Sequence, residues 1–254
     1  ALGLALASKL FRNVEALKDF KNLSNNGNEI CFCTIGDAST SEGHFWETVN
    51  AAGVLQVPLA VFVWDDGYGI SVPKELQTVK ASVSEALSGF EKNDELNGIL
   101  IYKVKGWDYA GLVETYQKAA DLAREKHTPI LIHVYQLTQP QGHSSSGSHE
   151  RYKSKERLQW ELDFDCIKKM REWIEENKLA SSAELDKIEN EAIEYVNTCK
   201  KNAWEAFLAP MKKDLADVIE LLSKISDPSA EEAIKTLKST KDAIRKDIGM
   251  AIQK

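Results

Sequence analysis

The chain has 254 residues and a formal net charge of −7, and no stretch concentrates lysine and arginine, so we expect no nucleic-acid partner. Hydrophobic residues make up 43% and charged residues 28% of the sequence, enough for one large or two small packed domains. No apolar run approaches the length of a membrane span, so we expect no membrane partner. Four cysteines without zinc-site spacing favour a reducing compartment, which we expect to be cytoplasmic, or the mitochondrial matrix in a eukaryote.

The chain opens with ALGLALASKLF, which has helical character from its first residue and neither a cap nor a methionine before it. We expect this helix to have been cut from a longer or processed protein. Apolar segments that predict strands then alternate with segments of helical periodicity. Strands are predicted over 29–35, 59–64, 99–104 and 130–135, and helices over 1–20, 42–53, 81–90 and 110–126.

This alternation of strands and helices predicts an α/β fold. Because each strand is apolar along nearly its whole length, we expect a parallel sheet with helices on both faces. A polar loop follows from Gln139, and after Lys153 only helical spacing of apolar residues remains, which predicts three or four helices. The predicted division is an α/β domain over 1–160, whose N-terminal part we expect to be missing, and a helical extension over 161–254 that contacts another subunit or domain.

Prolines give two local signals in the helical extension. Ser226-Asp227-Pro228 predicts the start of the last helix, with an acidic N-cap and a proline in the first turn. Pro210 lies within a helical pattern and predicts that the long preceding helix ends or kinks there.

Acidic residues follow two of the predicted strands directly. Asp37 comes just after the first strand, and Asp66 comes 29 residues later, just after the second. Ligands bind at the carboxyl ends of the strands in an open parallel sheet, so we expect the two carboxylates to face each other there. A single Gly-Asp after a strand is typical of a turn or an N-cap, whereas two close carboxylates require a proton or a cation between them. Hard oxygen ligands of this kind suit magnesium or calcium.

The residues beside these acids suit a phosphate group. Ala38 and Ser39 are small and stand at a predicted helix start, where backbone N–H groups can approach a phosphate. Gly67 and Gly69 keep the second turn open, and the carbonyl of Tyr68 between them is a candidate third ligand for a metal.

The two segments together resemble a known motif. IGDASTSEGHFWETVN and PLAVFVWDDGYGIS resemble the thiamine-diphosphate motif, in which Gly-Asp-Gly is followed after roughly 30 residues by Asn-Asn. With the loop QGHSSSGSHERYKSKE, they are similar to the alpha part of the decarboxylating component of 2-oxoacid dehydrogenase complexes, the branched-chain (2-oxoisovalerate) type most of all. The likeness covers about residues 1–180. It implies oxidative decarboxylation of a 2-oxo acid on thiamine diphosphate and Mg²⁺, followed by acyl transfer to a lipoyl-bearing acyltransferase.

The resemblance also implies roles for individual residues. Asp37, Asp66 and the Tyr68 carbonyl would bind the magnesium, Gly36, Ala38 and Ser39 would line the diphosphate, Ile70 would lie near the aminopyrimidine, and His143 would reach the diphosphate and the reacting centre as the catalytic histidine. Ser144 matches a position that is phosphorylated in mitochondrial relatives.

This sequence departs from the family pattern at two places. Ala38 replaces the last glycine of the first motif, and Asp65-Asp66 replaces Asn-Asn, which adds negative charge beside a diphosphate. The family's essential glutamate comes from its beta part, and its diphosphate-binding tyrosine and arginine lie upstream. We therefore expect a beta subunit or beta domain to complete the site, in a dimer or heterotetramer.

The remaining histidines and two tryptophans have structural interpretations. His133 is predicted to be a hydrogen-bonded core residue, His127 a cation at a helix end, and His44 a surface residue. His149 is a candidate to share the loop with His143, and Trp64 and Trp107 are predicted to be packing residues.

Other interpretations of the function stay open at this point. They are a pyruvate-type or transketolase-like thiamine enzyme, and a non-catalytic diphosphate-binding module. The loop that carries His143 favours the dehydrogenase.

Overall fold

The structure is a computed structural model that describes residues 1–143 and 148–253. Ser144 lies outside the described residues. The chain forms two compact units, Ala1–Leu179 and Ala180–Lys254.

A parallel sheet organises the first unit and confirms the predicted α/β fold. Its strands are β1 (Cys31–Gly36), β2 (Leu59–Trp64), β5 (Leu100–Lys105) and β6 (Ile130–Tyr135), and β3 (Tyr68–Gly69) and β4 (Val72–Pro73) form a separate small hairpin. The four strands lie in the order β1-β2-β6-β5, and each pair of neighbours is parallel. The apolar runs of β2 and β6 occupy the two central positions, where both faces of a strand are buried.

Helices cover both faces of this sheet, as predicted. They are α1 (Leu2–Asn13), α2 (Gly43–Leu55), α3 (Val83–Ala86) and α4 (Tyr109–Lys126), followed by α5 (Lys155–Asp163) and α6 (Cys166–Glu176). Alternate residues of β2 point to opposite faces, so Val61 and Val63 join a core cluster with α1 and α2. Ala60 and Phe62 join a second cluster with α4 on the other face. The two clusters fix the sheet between its helical layers.

Three local expectations differ from the structure. The first helix ends at Asn13 rather than near residue 20. The predicted helix over 81–90 contains only the single α-turn of α3, because Lys80 and Ala81 have positive φ angles and the helix starts only at the Ser82 cap. The edge strand β1 is covered on one face only, since Phe32 on its other face remains 53% exposed.

The first compact unit extends to Leu179, whereas the sequence placed the division after residue 160. Side-chain contacts explain this difference, because α6 lies against the loop that follows β5. The Sγ of Cys166 lies 3.6 Å from the carbonyl oxygen of Gly106, and the rings of Trp107 and Phe164 are 5.1 Å apart. Helical periodicity alone cannot show that α5 and α6 pack on the sheet domain.

The second unit is helical and contains α7 (Ser182–Leu222), α8 (Pro228–Ser239) and α9 (Arg245–Ile252). Its small core packs Leu237 of α8 and Ile248 of α9 with the end of α7. A helix starts where predicted, since Asp227 is the N-cap of α8 and Pro228 its first residue, but it is not the last helix, because α9 follows. Of the two alternatives predicted for Pro210, the end of the helix is excluded, because α7 continues through this residue to Leu222.

Five helices follow Lys153 in the described part of the chain, rather than three or four. None of the helices there is long and apolar enough to cross a membrane.

A buried ion pair gives a stability prediction for the first unit. The Nζ of Lys153 lies 2.7 Å from Glu161, and the two side chains are 0% and 1% exposed. Replacing one partner of a buried pair leaves an uncompensated charge, so Glu161→Gln should lower the free energy of unfolding by about 3 kcal/mol. Chemical denaturation followed by near-UV circular dichroism measures this change. The control is Glu85→Gln in the exposed pair with Lys103, where we expect a loss below about 1 kcal/mol; equal losses in both variants would contradict the prediction.

Candidate cofactor site

The predicted acids meet at the carboxyl edge of two neighbouring strands. Gly36 at the end of β1 pairs in register with Trp64 at the end of β2, so the residues that follow them leave the sheet side by side. The N–H of Asp37 donates to the carbonyl of Trp64 at 3.1 Å, which fixes the two loops together.

One cavity of about 840 Å³ opens at this edge and has the size of a cofactor pocket. All eight residues singled out from the sequence line it: Gly36, Asp37, Ala38, Ser39, Asp66, Tyr68, Ile70 and His143. The structure therefore brings the predicted residues together at one cavity. Further residues lining the cavity were missed by the sequence analysis: Ser41, Glu42, Gln77, Leu137, Thr138 and Gln139.

Asp37 is buried beside other negative charges. It is 4% exposed, and its Oδ2 has no hydrogen-bond partner among the described residues. Burial, followed by the charges of Asp65 and Asp66, raises the pKa of Asp37 to about 7. The carboxylate therefore has an oxygen free for a cation, in surroundings that favour positive charge.

The negative charge of Asp65, the extra acid of this sequence, is compensated by other residues of the protein. Its carboxylate accepts hydrogen bonds from the N–H of Gly67 at 2.8 Å, from Lys74 at 3.1 Å and from Nε2 of His133 at 2.8 Å. Burial acts to raise the pKa of Asp65, but the hydrogen bond from His133 and the charge of Lys74 outweigh it and leave the pKa below its ordinary value. The acid at this position therefore does not depend on a bound metal for its counter-charge.

The predicted structural role of His133 is confirmed. The ring is 2% exposed and joins Asp65 on one nitrogen to the Ser84 hydroxyl on the other, each at 2.8 Å. The sequence analysis missed Lys74 and Ser84, because 9 residues separate Lys74 from Asp65 and 49 separate Ser84 from His133. Only the folded chain shows that these residues meet.

Asp66 is held at the cavity by contacts from three segments. Its Oδ1 accepts the N–H of Tyr68 at 3.3 Å, and its Oδ2 lies 3.2 Å from Nε2 of His143. Burial raises the pKa of Asp66, while the nearby His143 opposes that effect. The carbonyl of Asp66 accepts a 2.7 Å hydrogen bond from Nη2 of Arg157 on α5, a contact that the sequence analysis missed.

The hairpin after Asp66 packs closely on the segment that follows β1. A Cβ at Gly69 would lie 2.7 Å from the Cβ of Ala38 and 2.2 Å from the side-chain amide of Gln77, so only glycine fits there. Ile70 has a φ of 59°, which is strained for a β-branched residue, and is 62% exposed at the cavity. Strain of this kind is typical of ligand sites.

Two expectations about single residues were wrong. Trp64 is not a packed residue; it is 52% exposed and lines the cavity. His127 does not suit a cation, because burial and the nearby Arg12 lower its pKa, and its Nε2 lies 2.9 Å from the carbonyl oxygen of Gly27.

Three further expectations can be compared with the structure. His44 is exposed on α2, as predicted, and Trp107 packs against Phe164. His149 lies beside Gly142, next to His143, but it is not among the described residues that line the cavity.

The side chains of the described residues do not form a complete metal site. Among them, no group of three or more histidine, cysteine, aspartate or glutamate side chains is placed to hold a metal ion. A cation between Asp37 and Asp66 would therefore need main-chain or ligand oxygens to complete its coordination.

The raised pKa of Asp37 predicts that the site destabilises the protein when divalent cations are absent. The pKa of this carboxyl group rises on folding from 3.8 to about 7, so the free energy of unfolding of the protein falls as the pH rises through that range. Asp37→Asn should therefore stabilise the chain by on the order of 2–4 kcal/mol above neutral pH and leave it unchanged near the ordinary carboxyl pKa.

Urea unfolding in a chelating buffer across this pH range measures the difference. Asp94→Asn on an exposed loop is the matched control and should show no pH-dependent gain. A destabilised Asp37→Asn variant at alkaline pH would contradict the prediction.

Comparison with known proteins places the chain in a family. The family described as "Dehydrogenase E1 component" matches residues 1–211. The pyruvate dehydrogenase E1 component subunit alpha of Rickettsia bellii is 29% identical over 179 residues, 70% of this chain and 52% of the relative. The 2-oxoisovalerate dehydrogenase subunit alpha 1, mitochondrial, of Arabidopsis thaliana is 24% identical over 216 residues, 84% of this chain and 42% of the relative. This chain thus spans about half the length of the curated relatives it matches, and it belongs to the dehydrogenase E1 component family.

Proposed function

We propose that this chain is the alpha-like part of the decarboxylating component of a 2-oxoacid dehydrogenase. The observation that supports this most is the buried Oδ2 of Asp37, which has no hydrogen-bond partner in the described part of the chain. It lies in a cavity of cofactor size that Asp66 also lines, in a member of this family. In this proposal the site holds the diphosphate and the metal of thiamine diphosphate.

The donor groups at the sheet edge suit magnesium. The Asp37 and Asp66 carboxylates and the main-chain carbonyl of Tyr68 would be its protein ligands, and all three residues line the same cavity. The Oδ2 of Asp37, which accepts no hydrogen bond from the residues that the structure describes, and the negative charges around it would attract a cation. Because Lys74 and His133 already compensate Asp65, the metal has to offset two carboxylates rather than three.

The remaining residues of the cavity would bind and orient the organic cofactor. Gly36, Ala38 and Ser39 stand where the chain leaves β1, so their small side chains let the backbone approach a diphosphate. Ile70 would contact the aminopyrimidine from the strained turn of the hairpin. Thiamine diphosphate, when bound, supplies the carbanion chemistry of decarboxylation.

His143 is the proposed catalytic residue of this chain. Its side chain is 32% exposed and reaches the cavity from the loop before α5, with Nε2 at 3.2 Å from Asp66. An imidazole in this position can donate a hydrogen bond or a proton to the diphosphate or to the reacting centre.

A partner would complete the reaction. We infer that a beta subunit or beta domain supplies the glutamate that activates the aminopyrimidine, and that the acyl group then passes to a lipoyl group of an acyltransferase component. The two relatives compared above are named as alpha subunits, which supports an alpha-beta assembly. The sequence resemblance favours a branched-chain substrate, whereas the Rickettsia bellii relative is named for pyruvate.

Metal and cofactor binding tests the site without measuring turnover. Mn²⁺ binding by electron paramagnetic resonance, in the presence of thiamine diphosphate, should be saturable in the unmodified chain, alone or with a beta-type subunit. Asp37→Ala should weaken Mn²⁺ binding at least about tenfold, because it removes a direct ligand. Asp66→Asn should retain binding, because the amide oxygen can replace a carboxylate oxygen.

Asp94→Asn is the control and should bind as the unmodified chain does. Absence of thiamine diphosphate binding both alone and with the beta-type subunit would overturn the proposed function. Binding that is unaffected by Asp37→Ala would overturn the assignment of the metal ligands.

Turnover tests the substrate and the role of the partner. We expect decarboxylation of a 2-oxo acid only when the beta-type subunit is present, and faster with 2-oxoisovalerate than with pyruvate. A preference for pyruvate would correct the substrate class and leave the site assignment intact. Cofactor binding without any turnover in the assembly would indicate a non-catalytic binding module.

A further inference from the structure

Asp65 is anchored at the carboxyl edge of the sheet through its main chain. The residue is 1% exposed. Its N–H donates to the carbonyl of Val134 at 2.9 Å, and its carbonyl accepts the N–H of Leu137 at 3.0 Å. These bonds join the end of β2 to the end of β6 and the residues after it, so the Asp65 side chain leaves the sheet from a fixed point.

The carboxylate of Asp65 closes the turn that carries two of the proposed metal ligands. Its Oδ1 accepts the N–H of Gly67 at 2.8 Å, which is the arrangement of an Asx-turn, and Gly67 has a φ of 85° that favours glycine. Asp66 lies within this turn and Tyr68 follows it. The directions of the Asp66 side chain and of the Tyr68 carbonyl therefore depend on the bond to Asp65.

Lys74 holds the other end of the same segment. Its Nζ donates to Oδ2 of Asp65 at 3.1 Å, and its main-chain N–H donates to the carbonyl of Gly67 at 3.0 Å. The N–H and the carbonyl of Gly67 are thus both bonded to the Asp65–Lys74 pair. The chain from Gly67 to Lys74, which forms the hairpin of β3 and β4, is closed at its base by this pair.

His133 and Ser84 hold Asp65 from the interior of the domain. An ionised carboxylate only accepts hydrogen bonds, so the 2.8 Å contact with Asp65 places a proton on Nε2 of His133. The other ring nitrogen lies 2.8 Å from the hydroxyl of Ser84 on α3, which is 4% exposed. Neither His133 nor Ser84 is among the described residues that line the cavity, so both act on the site through Asp65.

We propose that Asp65 is a positioning residue, which orients the ligands of the proposed metal site without binding the metal. The residues that act with it in this Asp65 network are Lys74, His133 and Ser84. The inference rests on the proposed function, because it concerns the ligands named there. Both oxygens of Asp65 are already bonded within the protein, and Asp65 is not among the described residues that line the cavity.

The number of donors explains why a carboxylate stands at this position. The motif that the segment resembles has asparagine here, which offers one acceptor oxygen and an amide group that donates. Gly67, Lys74 and His133 present three donors, which are shared between the two oxygens of Asp65. An asparagine would turn its amide group toward at least one of these donors and leave it unpaired. Asp65→Asn should therefore disturb the turn, although it restores the residue of the motif.

Hydrogen exchange of the metal-free chain tests the positioning without any ligand. Loss of one hydrogen bond in the Asp65 network should accelerate amide exchange in peptides covering 66–74 by about fivefold. Ser84→Ala, which changes no charge, and Asp65→Asn should both show this increase. Ser88→Ala is the matched control, exposed and four residues further along the chain, and should exchange as the unmodified chain does. Unchanged exchange in either Ser84→Ala or Asp65→Asn would overturn this inference and leave the proposed function intact.

Metal binding separates positioning from a simple effect of charge. Asp65→Asn removes a negative charge beside the site and Lys74→Met a positive one, so electrostatics alone would weaken cation binding in the first variant and strengthen it in the second. Positioning predicts weaker binding in both variants, by about 10- to 100-fold. Mn²⁺ binding by electron paramagnetic resonance in the presence of thiamine diphosphate, at a pH where the carboxylates of the site are ionised, measures the dissociation constants.

The outcomes for this inference and for the proposed function are distinct. Lys74→Arg keeps the charge and a donor and should restore most of the affinity. The side chain of Lys74 is 29% exposed, so Lys74→Met should give the near-UV circular dichroism of a folded chain even if Asp65→Asn does not. Mn²⁺ binding that is unchanged or tighter in Lys74→Met would overturn this inference alone. No binding by the unmodified chain, alone or with a beta-type subunit, would overturn the proposed function as well.

Discussion

The accumulation of negative charge where β1 and β2 leave the sheet is the constraint on which the site depends. Parallel register brings Asp37 and Asp65 out at the same edge, and Asp66 follows directly. These acids have different surroundings. Lys74 and His133 compensate the negative charge of Asp65, whereas Asp37 has a buried oxygen without a partner among the described residues. A buried acid without a counter-charge among the described residues is more typical of a functional site than of a structural one, which supports the proposed cation site.

Charged residues on α5 and just before it support the loop that carries Asp66. Glu161 on α5 accepts hydrogen bonds from both Lys153 and Arg157, and Arg157 in turn donates to the Asp66 carbonyl. Both cations also lie over the Tyr68 ring, at 5.1 and 5.4 Å from its centroid. Lys153 donates to the carbonyl of residue 139 as well, at the base of the segment that leads to His143. The helix α5 therefore positions both sides of the site, which explains why it belongs to the sheet unit.

The predictable parts of the structure are those encoded by local pattern. The apolar runs gave the four strands to within about two residues of their observed bounds, and the two acids after them located the cavity, because strand ends and register follow from periodicity. The unpredicted parts are contacts between distant residues. Arg157 lies 91 residues from Asp66, and nothing in the local sequence indicates that they meet. His127 looked like a helix-end cation because sequence shows its position but not its burial.

The buried carboxylate of Asp37 links the stability of the first unit to the proposed function. Its Oδ2 has no hydrogen-bond partner among the described residues, and burial and the acids beside it raise its pKa to about 7, so the stability of this unit depends on pH. A cation that binds there, as proposed, would bind the folded site only and would therefore stabilise the first unit by mass action. The pH dependence of folding and the binding of a cation are thus two consequences of the same carboxylate.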